Sequence, residues 1–91
     1  MPKKRSSKYK IIVMNDSINT FEHVQQCLQE ICGHNKYQAY QCTTIIHNTG
    51  ECQVYSNTEE PCLFIFDELQ HNGLKVRLTK WTIIFYQKKV I

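Results

Sequence analysis

The chain has 91 residues, of which 42 % are hydrophobic and 21 % charged, with a formal net charge of +3. That length holds one domain, burying only about 60 to 65 % of its unfolded surface, and the composition excludes the low-hydrophobicity, high-charge regime in which chains stay disordered. Five cysteines with no C-x-x-C pair and no signal-peptide pattern argue for a reducing compartment over a secreted disulfide framework, and no apolar run nears the roughly 20 residues that span a bilayer.

Residues 1–8 are polar and basic without periodicity and are expected to form a flexible arm. Tyr9 to Met14 is a compact, β-branched apolar run stopped by Asn15-Asp16-Ser17, which predicts a buried strand followed by a turn. Asn19 and Glu22 have the spacing of a capping box, and Phe21, Val24, Leu28, Ile31 and Cys32 then recur at helical spacing. Gly33 supplies a terminator, and Asn35 with Gln38 opens a second helix that carries Ala39, Cys42, Thr43 and Ile46 on one stripe. This helix holds His47 in its last turn and runs to Gly50.

Cys52, Val54 and Tyr55 predict a short strand, and Ser56-Asn57-Thr58 a turn that offers Thr58 as the next helix cap. Glu59, Glu60 and Pro61 suit a first helical turn, where acids oppose the dipole and proline loses no internal hydrogen bond. This third helix is expected to bury Leu63, Phe64, Phe66 and Leu69 and to stop at Asn72-Gly73, before an alternating strand over 74–79. The final run, Trp81 to Tyr86, suits an extra strand or a sticky tail. The predicted class is α+β, a two-layer sandwich in the order β-α-α-β-α-β with a small antiparallel sheet packed against three helices. The organisation expected is an arm over 1–8, a domain over 9–80 and an extension over 81–91.

Functional chemistry is harder to read from spacing. The basic residues cluster at the two ends, which fits solvated tails and leaves a small nucleic-acid-binding domain as the rival class. Cys27-x4-Cys32-x-His34 lacks zinc-knuckle spacing, and Cys27, Cys32 and Cys42 stand where a core takes small apolar residues, so neither a metal nor a cofactor is expected. No cysteine-protease signature, P-loop or dinucleotide-binding glycine motif is present. What remains is Asn15-Asp16 at a strand end and His47 near a helix end. These are either ordinary turn and helix-terminus residues or parts of one polar site.

The run Tyr9 to Asp16, followed by Asn19-Thr20-Phe21-Glu22-His23-Val24 and Cys27-Leu28, resembles the opening of the ClpS adaptors, most closely their cyanobacterial and plastid branch. Ile46-His47 with Gly50, and Leu69-Gln70-x-x-Gly73-Leu74, are similar to later parts of the same family. The resemblance covers 8–80 in order, with a slight shortening between Gly50 and Cys52.

The resemblance implies a non-enzymatic adaptor that holds destabilising, large hydrophobic N-terminal residues of substrate proteins and delivers them to a Clp ATPase and protease. Asn15, Asp16 and His47 would surround the α-amino group. Asn19, Phe21, Val24, Thr43, Ile46 and Leu74 would line the side-chain pocket. Partners implied are the N-terminal domain of a ClpC- or ClpA-like ATPase, docked near Thr58, Glu59 and Glu60, and substrates with free hydrophobic N-termini, but neither nucleic acid nor membrane. The bacterial cytoplasm or plastid stroma is the expected compartment. The family commonly has a second acid where Ser17 stands and methionines where Phe21 and Thr43 stand. Bulk therefore moves from one pocket wall to the other, and the preference among Phe, Tyr, Trp and Leu is expected to change with it.

Overall fold

The computed structural model describes residues 7–82, with β1 over Ser7–Met14, α1 over Phe21–Glu30, α2 over Lys36–Thr49, β2 over Glu51–Asn57, α3 over Glu59–His71 and β3 over Lys75–Thr82. The element order is the expected β-α-α-β-α-β. The strands form one antiparallel sheet in the order β2-β1-β3. In the central strand, Ile11 and Val13 are 0 % and 1 % exposed, while Lys10, Ile12 and Met14 between them are only half-buried. That alternation is the period-two signature of a strand with one face against helices.

A bulge interrupts the pairing of β1 with β2, because Ile11 faces Tyr55 and Ile12 faces Gln53, leaving Val54 as the extra residue. The displacement has a use. Val54 is buried in the core, and its carbonyl accepts a 2.7 Å hydrogen bond from His34 Nε2 in the turn between α1 and α2. With Nε2 donating, the buried and unpartnered Nδ1 of His34 is the lone-pair nitrogen of a neutral ring, which orphans no donor.

Helix α2 begins as predicted, with Asn35 accepting from Gln38 N at 2.7 Å and Gln38 Oε1 accepting from Asn35 N at 3.0 Å. It ends at Gly50, whose φ of +105° is one that L side chains rarely adopt. Helix α1 departs from expectation. Its N-cap is Thr20, whose hydroxyl accepts from His23 N at 3.1 Å, and not Asn19. The side chain of Asn19 is occupied elsewhere, donating to Asp16 Oδ2 and to the Gly73 carbonyl.

In α3 the buried stripe is Cys62, Ile65 and Leu69, with Phe66 packed against it, whereas Leu63 and Phe64 are 44 % and 64 % exposed. The expectation that both are buried is corrected. Phe64 and Phe66 lie some 200° apart around a helix and do not share one face, so docking on the sheet selects the stripe through Cys62. Thr58 occupies the cap position, but its side chain makes no capping bond, and Asn57 Oδ1 accepts from Thr58 N at 2.7 Å instead. Strand β3 runs without a break through Lys80 to Thr82, and β1 starts at Ser7, so the sheet extends beyond the predicted strands at this end. The expected arm before residue 7 and the expected strand or tail beyond residue 82 lie outside the described residues.

The core joins both layers: Val24, Cys27 and Leu28 of α1, Ala39 and Ile46 of α2, Ile65 and Leu69 of α3, with Ile11, Val13, Val54 and Leu74 from the sheet side. Helix α3 packs across all three strands, α2 packs on β2, and α1 packs on α2.

Candidate functional site

The end of β1 and the end of α2 meet through one backbone hydrogen bond, Asn15 N donating to the Gly50 carbonyl at 2.8 Å. Because Gly50 closes the helix that carries His47, this bond sets the distance between two stretches more than thirty positions apart in sequence. A second tie joins the start of α1 to the turn between α3 and β3. Asn19 Nδ2 donates to the Gly73 carbonyl at 3.0 Å and His23 Nε2 to the Asn72 carbonyl at 2.9 Å. Leu74, the next residue, is thereby held beside the other two segments.

Between them lie two adjoining hollows. One, open to solvent, is lined by Asn15, Asn19, Thr20, Phe21, Val24, Thr43, Ile46 and His47. The other is lined by Val13, Met14, Asn15, Asp16, Asn19, Val24, Ile46, Leu74 and Lys75. Asn15, Asn19, Val24 and Ile46 form the wall common to both. All nine residues expected to form the amine site and the pocket thus lie on one or the other hollow. Sequence reasoning missed Val13, Met14, Thr20 and Lys75, of which the last three are chain neighbours of residues it named.

The hollow floors are apolar and the rims polar. Val24, Thr43, Ile46 and Leu74 are buried, and Asn15 and His47 are exposed. Thr43 is buried without penalty because its hydroxyl donates to the Ala39 carbonyl at 2.7 Å, which turns its methyl toward the apolar neighbours. Phe21 contacts two rings of α2. Its centroid is 5.7 Å from Tyr40 at an interplanar angle of 60° and 6.5 Å from His47 at 76°.

Asp16 organises the turn after β1. Its Oδ1 accepts from Ile18 N at 3.0 Å and Asn19 N at 2.8 Å, and its Oδ2 accepts from Asn19 Nδ2 at 2.9 Å. A carboxylate offers about four lone-pair sites, so one on Oδ2 is left for a further donor. The backbone N–H of Asn19 holds the Asp16 carboxyl below its ordinary value of 3.8, aided by the Asn19 side chain, Ile18 N–H and Lys75, while burial opposes them. The group is a fixed anion at neutral pH.

The cysteines carry no comparable chemistry. Cys27 Sγ lies 3.7 Å from His23 Nε2, but that nitrogen already presents its proton to the Asn72 carbonyl and is no base for the thiol. Burial, then Glu30, also raises the Cys27 pKa. Burial followed by the Cys42 thiol pushes Cys52 up to about 12, and burial followed by Cys42 and Cys27 pushes Cys32 to the same value. Both thiols are thus held protonated at neutral pH. In the folded chain at neutral pH, Cys32 and Cys52 will therefore resist iodoacetamide and react once urea unfolds the protein. Mass-spectrometric mapping that finds them labelled as fast when folded would contradict their burial. Among the described residues no group of three His, Cys, Asp or Glu side chains could hold a metal ion. No described helix is long and apolar enough to cross a membrane.

Thr58, Glu59 and Glu60 do not join this site. They are exposed at the start of α3. Tyr9 pairs with Asn57 and Met14 with Glu51, so α3 starts at the opposite end of β1 from Asn15 and Asp16.

Residues 4–77 match the protein family described as ATP-dependent Clp protease adaptor protein ClpS. A ClpS adapter protein of Nostoc sp. is 36 % identical over 73 residues, which is 79 % of this chain and 75 % of the relative. One of Thermosynechococcus vestitus is 33 % identical over the same share of this chain and 78 % of its own. The fold is similar to that of Agrobacterium tumefaciens ClpS2 bound to L-phenylalaninamide, with a TM-score of 0.67 at 17 % identity, covering 87 % of this chain and 100 % of the other.

Proposed function

The chain belongs to the ClpS family of ATP-dependent Clp protease adaptors, and from that membership we propose that it grips the free amino terminus of substrate proteins whose first residue is large and hydrophobic. In this reading it performs no chemistry of its own and presents the bound substrate to a Clp ATPase. The observation that supports it is that Asn15 and His47 line one hollow and Asn15 and Asp16 the adjoining one, with Val24 and Ile46 as their shared apolar wall.

An α-ammonium group brings a charge and three donors, so its site needs acceptors. Asn15 Oδ1, the remaining lone pair of Asp16 Oδ2 and a ring nitrogen of His47 supply three, from the turn after β1 and the last turn of α2. The side chain of the first residue would enter between Phe21, Val24, Thr43 and Ile46, with Asn19 and Leu74 closing the adjoining side. Burying a Leu or Phe side chain there contributes roughly 1.5 to 3 kcal/mol. That the Agrobacterium relative was solved with L-phenylalaninamide, a ligand with a free amine and an aromatic side chain, is in keeping with such a site.

The proposed partner is a Clp ATPase of ClpC or ClpA type, bound through its N-terminal domain, in keeping with membership of a Clp protease adaptor family. Thr58, Glu59 and Glu60 form the proposed docking point, and the exposed Leu63 and Phe64 lie one turn further along α3, so acids and apolar area share that region. Docking and cargo would then use opposite ends of the sheet and proceed together. The adaptor domain is taken as 9–80 together with the strand ends that the sheet adds at residues 7, 8, 81 and 82, and its place of action as the bacterial cytoplasm or plastid stroma.

The test is a titration of two peptides that differ only in a free or an acetylated leading Phe. The free peptide will bind at least about tenfold tighter, since acetylation removes the charge and most donors, and His47→Ala will narrow the gap. Equal affinity for both peptides, or salt-sensitive binding of single-stranded RNA with no response to peptide termini, would overturn the reading.

A further inference from the structure

Tyr40 is absent from the hollow's lining, yet it is the residue best placed to control its shape. It lies on α2 three residues before Thr43 and seven before His47, so all three share one helical stripe. Its ring makes an edge-type contact with Phe21 at 5.7 Å between centroids, closer than the 6.5 Å of His47 to the same ring. Phe21 itself projects from the first position of α1, where the preceding chain has left the strand and the helix has made no full turn, so its own element restrains it little. The wall of the hollow opposite the small Thr43 is therefore a ring whose position is set by α2.

We propose that Tyr40 is a positioning residue that pins Phe21 over the hollow and so sets which first side chain fits. The inference rests on the reading of the hollow as a pocket for an N-terminal side chain. With Tyr40 in place the entrance is narrow and suits Leu or Phe. Without it Phe21 is free to tilt into the vacated space, the hollow widens, contact with a Leu side chain is lost and a Trp side chain is accommodated. Since Tyr40 is 51 % exposed and lies outside the buried core cluster, its truncation spares the fold.

Affinities for peptides that begin with Leu, Phe or Trp and share one tail would be measured for wild type, Tyr40→Ala and Tyr40→Phe. Edge-to-face ring pairs are worth enough that the Leu-to-Trp affinity ratio should fall about two- to tenfold in Tyr40→Ala. Tyr40→Phe keeps the ring and should keep the ratio. His47 ring-proton resonances, which sense the Phe21 ring, should move in the first variant and stay in the second. An unchanged ratio in Tyr40→Ala, in a wild type that binds free-amine peptides, overturns the positioning role and leaves the pocket reading intact. A wild type that binds none of the three peptides overturns the pocket reading and this inference with it.

Discussion

Replacing Asp16 with Asn will weaken binding of a free-amine Phe peptide by about one to two orders of magnitude, the equivalent of about 1.5 to 3 kcal/mol for a hydrogen bond to a charged group, and will leave any residual binding of the acetylated peptide unchanged. The reasoning starts from what the carboxylate already does. Three of its acceptor sites hold the turn between β1 and α1, and one remains for the ammonium. In the variant the amide oxygen still accepts from Ile18 N and Asn19 N, but the new NH2 faces Asn19 Nδ2, donor against donor. The negative charge disappears and the last acceptor with it, while the turn is largely retained. Isothermal titration of both peptides checks the outcome, and an Asp16→Asn chain that still separates them fully would remove Asp16 from the site.

The same carboxylate links stability to pH. Its folded pKa lies below the ordinary 3.8, so the stabilisation is fully present above 3.8 and is lost as pH falls through the folded value. The stability difference between wild type and Asp16→Asn should accordingly be constant through neutral pH and shrink only below 3.8.

Leu69→Ala carries the largest expected effect on folding. Leu69 is fully buried on α3, which packs across all three strands, and its carbonyl accepts from Leu74 N at 3.1 Å where the chain turns into β3. Truncating such a side chain costs about 2 to 5 kcal/mol, because the lost transfer free energy is joined by the cavity left behind. A chain of this length has roughly 5 to 14 kcal/mol of stability in all, so the variant sits near the folding threshold. Phe64→Ala removes a larger side chain from the same helix, yet its residue is 64 % exposed, and its effect should stay within about 0.5 kcal/mol. Urea titrations of the two variants measure the contrast directly. Equal losses would mean that α3 faces the sheet with a different stripe.

Leu69 and the proposed pocket residue Leu74 belong to the same buried core. Leu74 follows the turn that Asn19 and His23 hold through the Gly73 and Asn72 carbonyls. The proposed pocket is thus built from side chains that are also core, and Val24, Ile46 and Leu74 cannot be truncated for a binding assay without loss of stability. Exposed residues, His47 on the rim and Tyr40 outside the lining, are the cleaner probes.

Local chemistry alone determined much of this molecule. The β-branched run before Asn15, the Asn35 and Gln38 box, Gly50 as a terminator and the alternation after Gly73 each encode an element through contacts within a few residues, which is why element order was legible in the amino-acid sequence. The proposed site residues were legible only through family resemblance, since Asn-Asp in a turn and His near a helix end are common. Three matters were decided by tertiary structure. Asn19 leaves the cap to Thr20 because the Gly73 carbonyl, 54 positions away, competes for its amide. Leu63 and Phe64 face outward because docking against a sheet admits one stripe of α3 and hydrophobicity alone does not say which. The Phe21 ring is set by Tyr40 and His47, partners from another helix, and a contact between distant segments leaves no periodic trace along the chain.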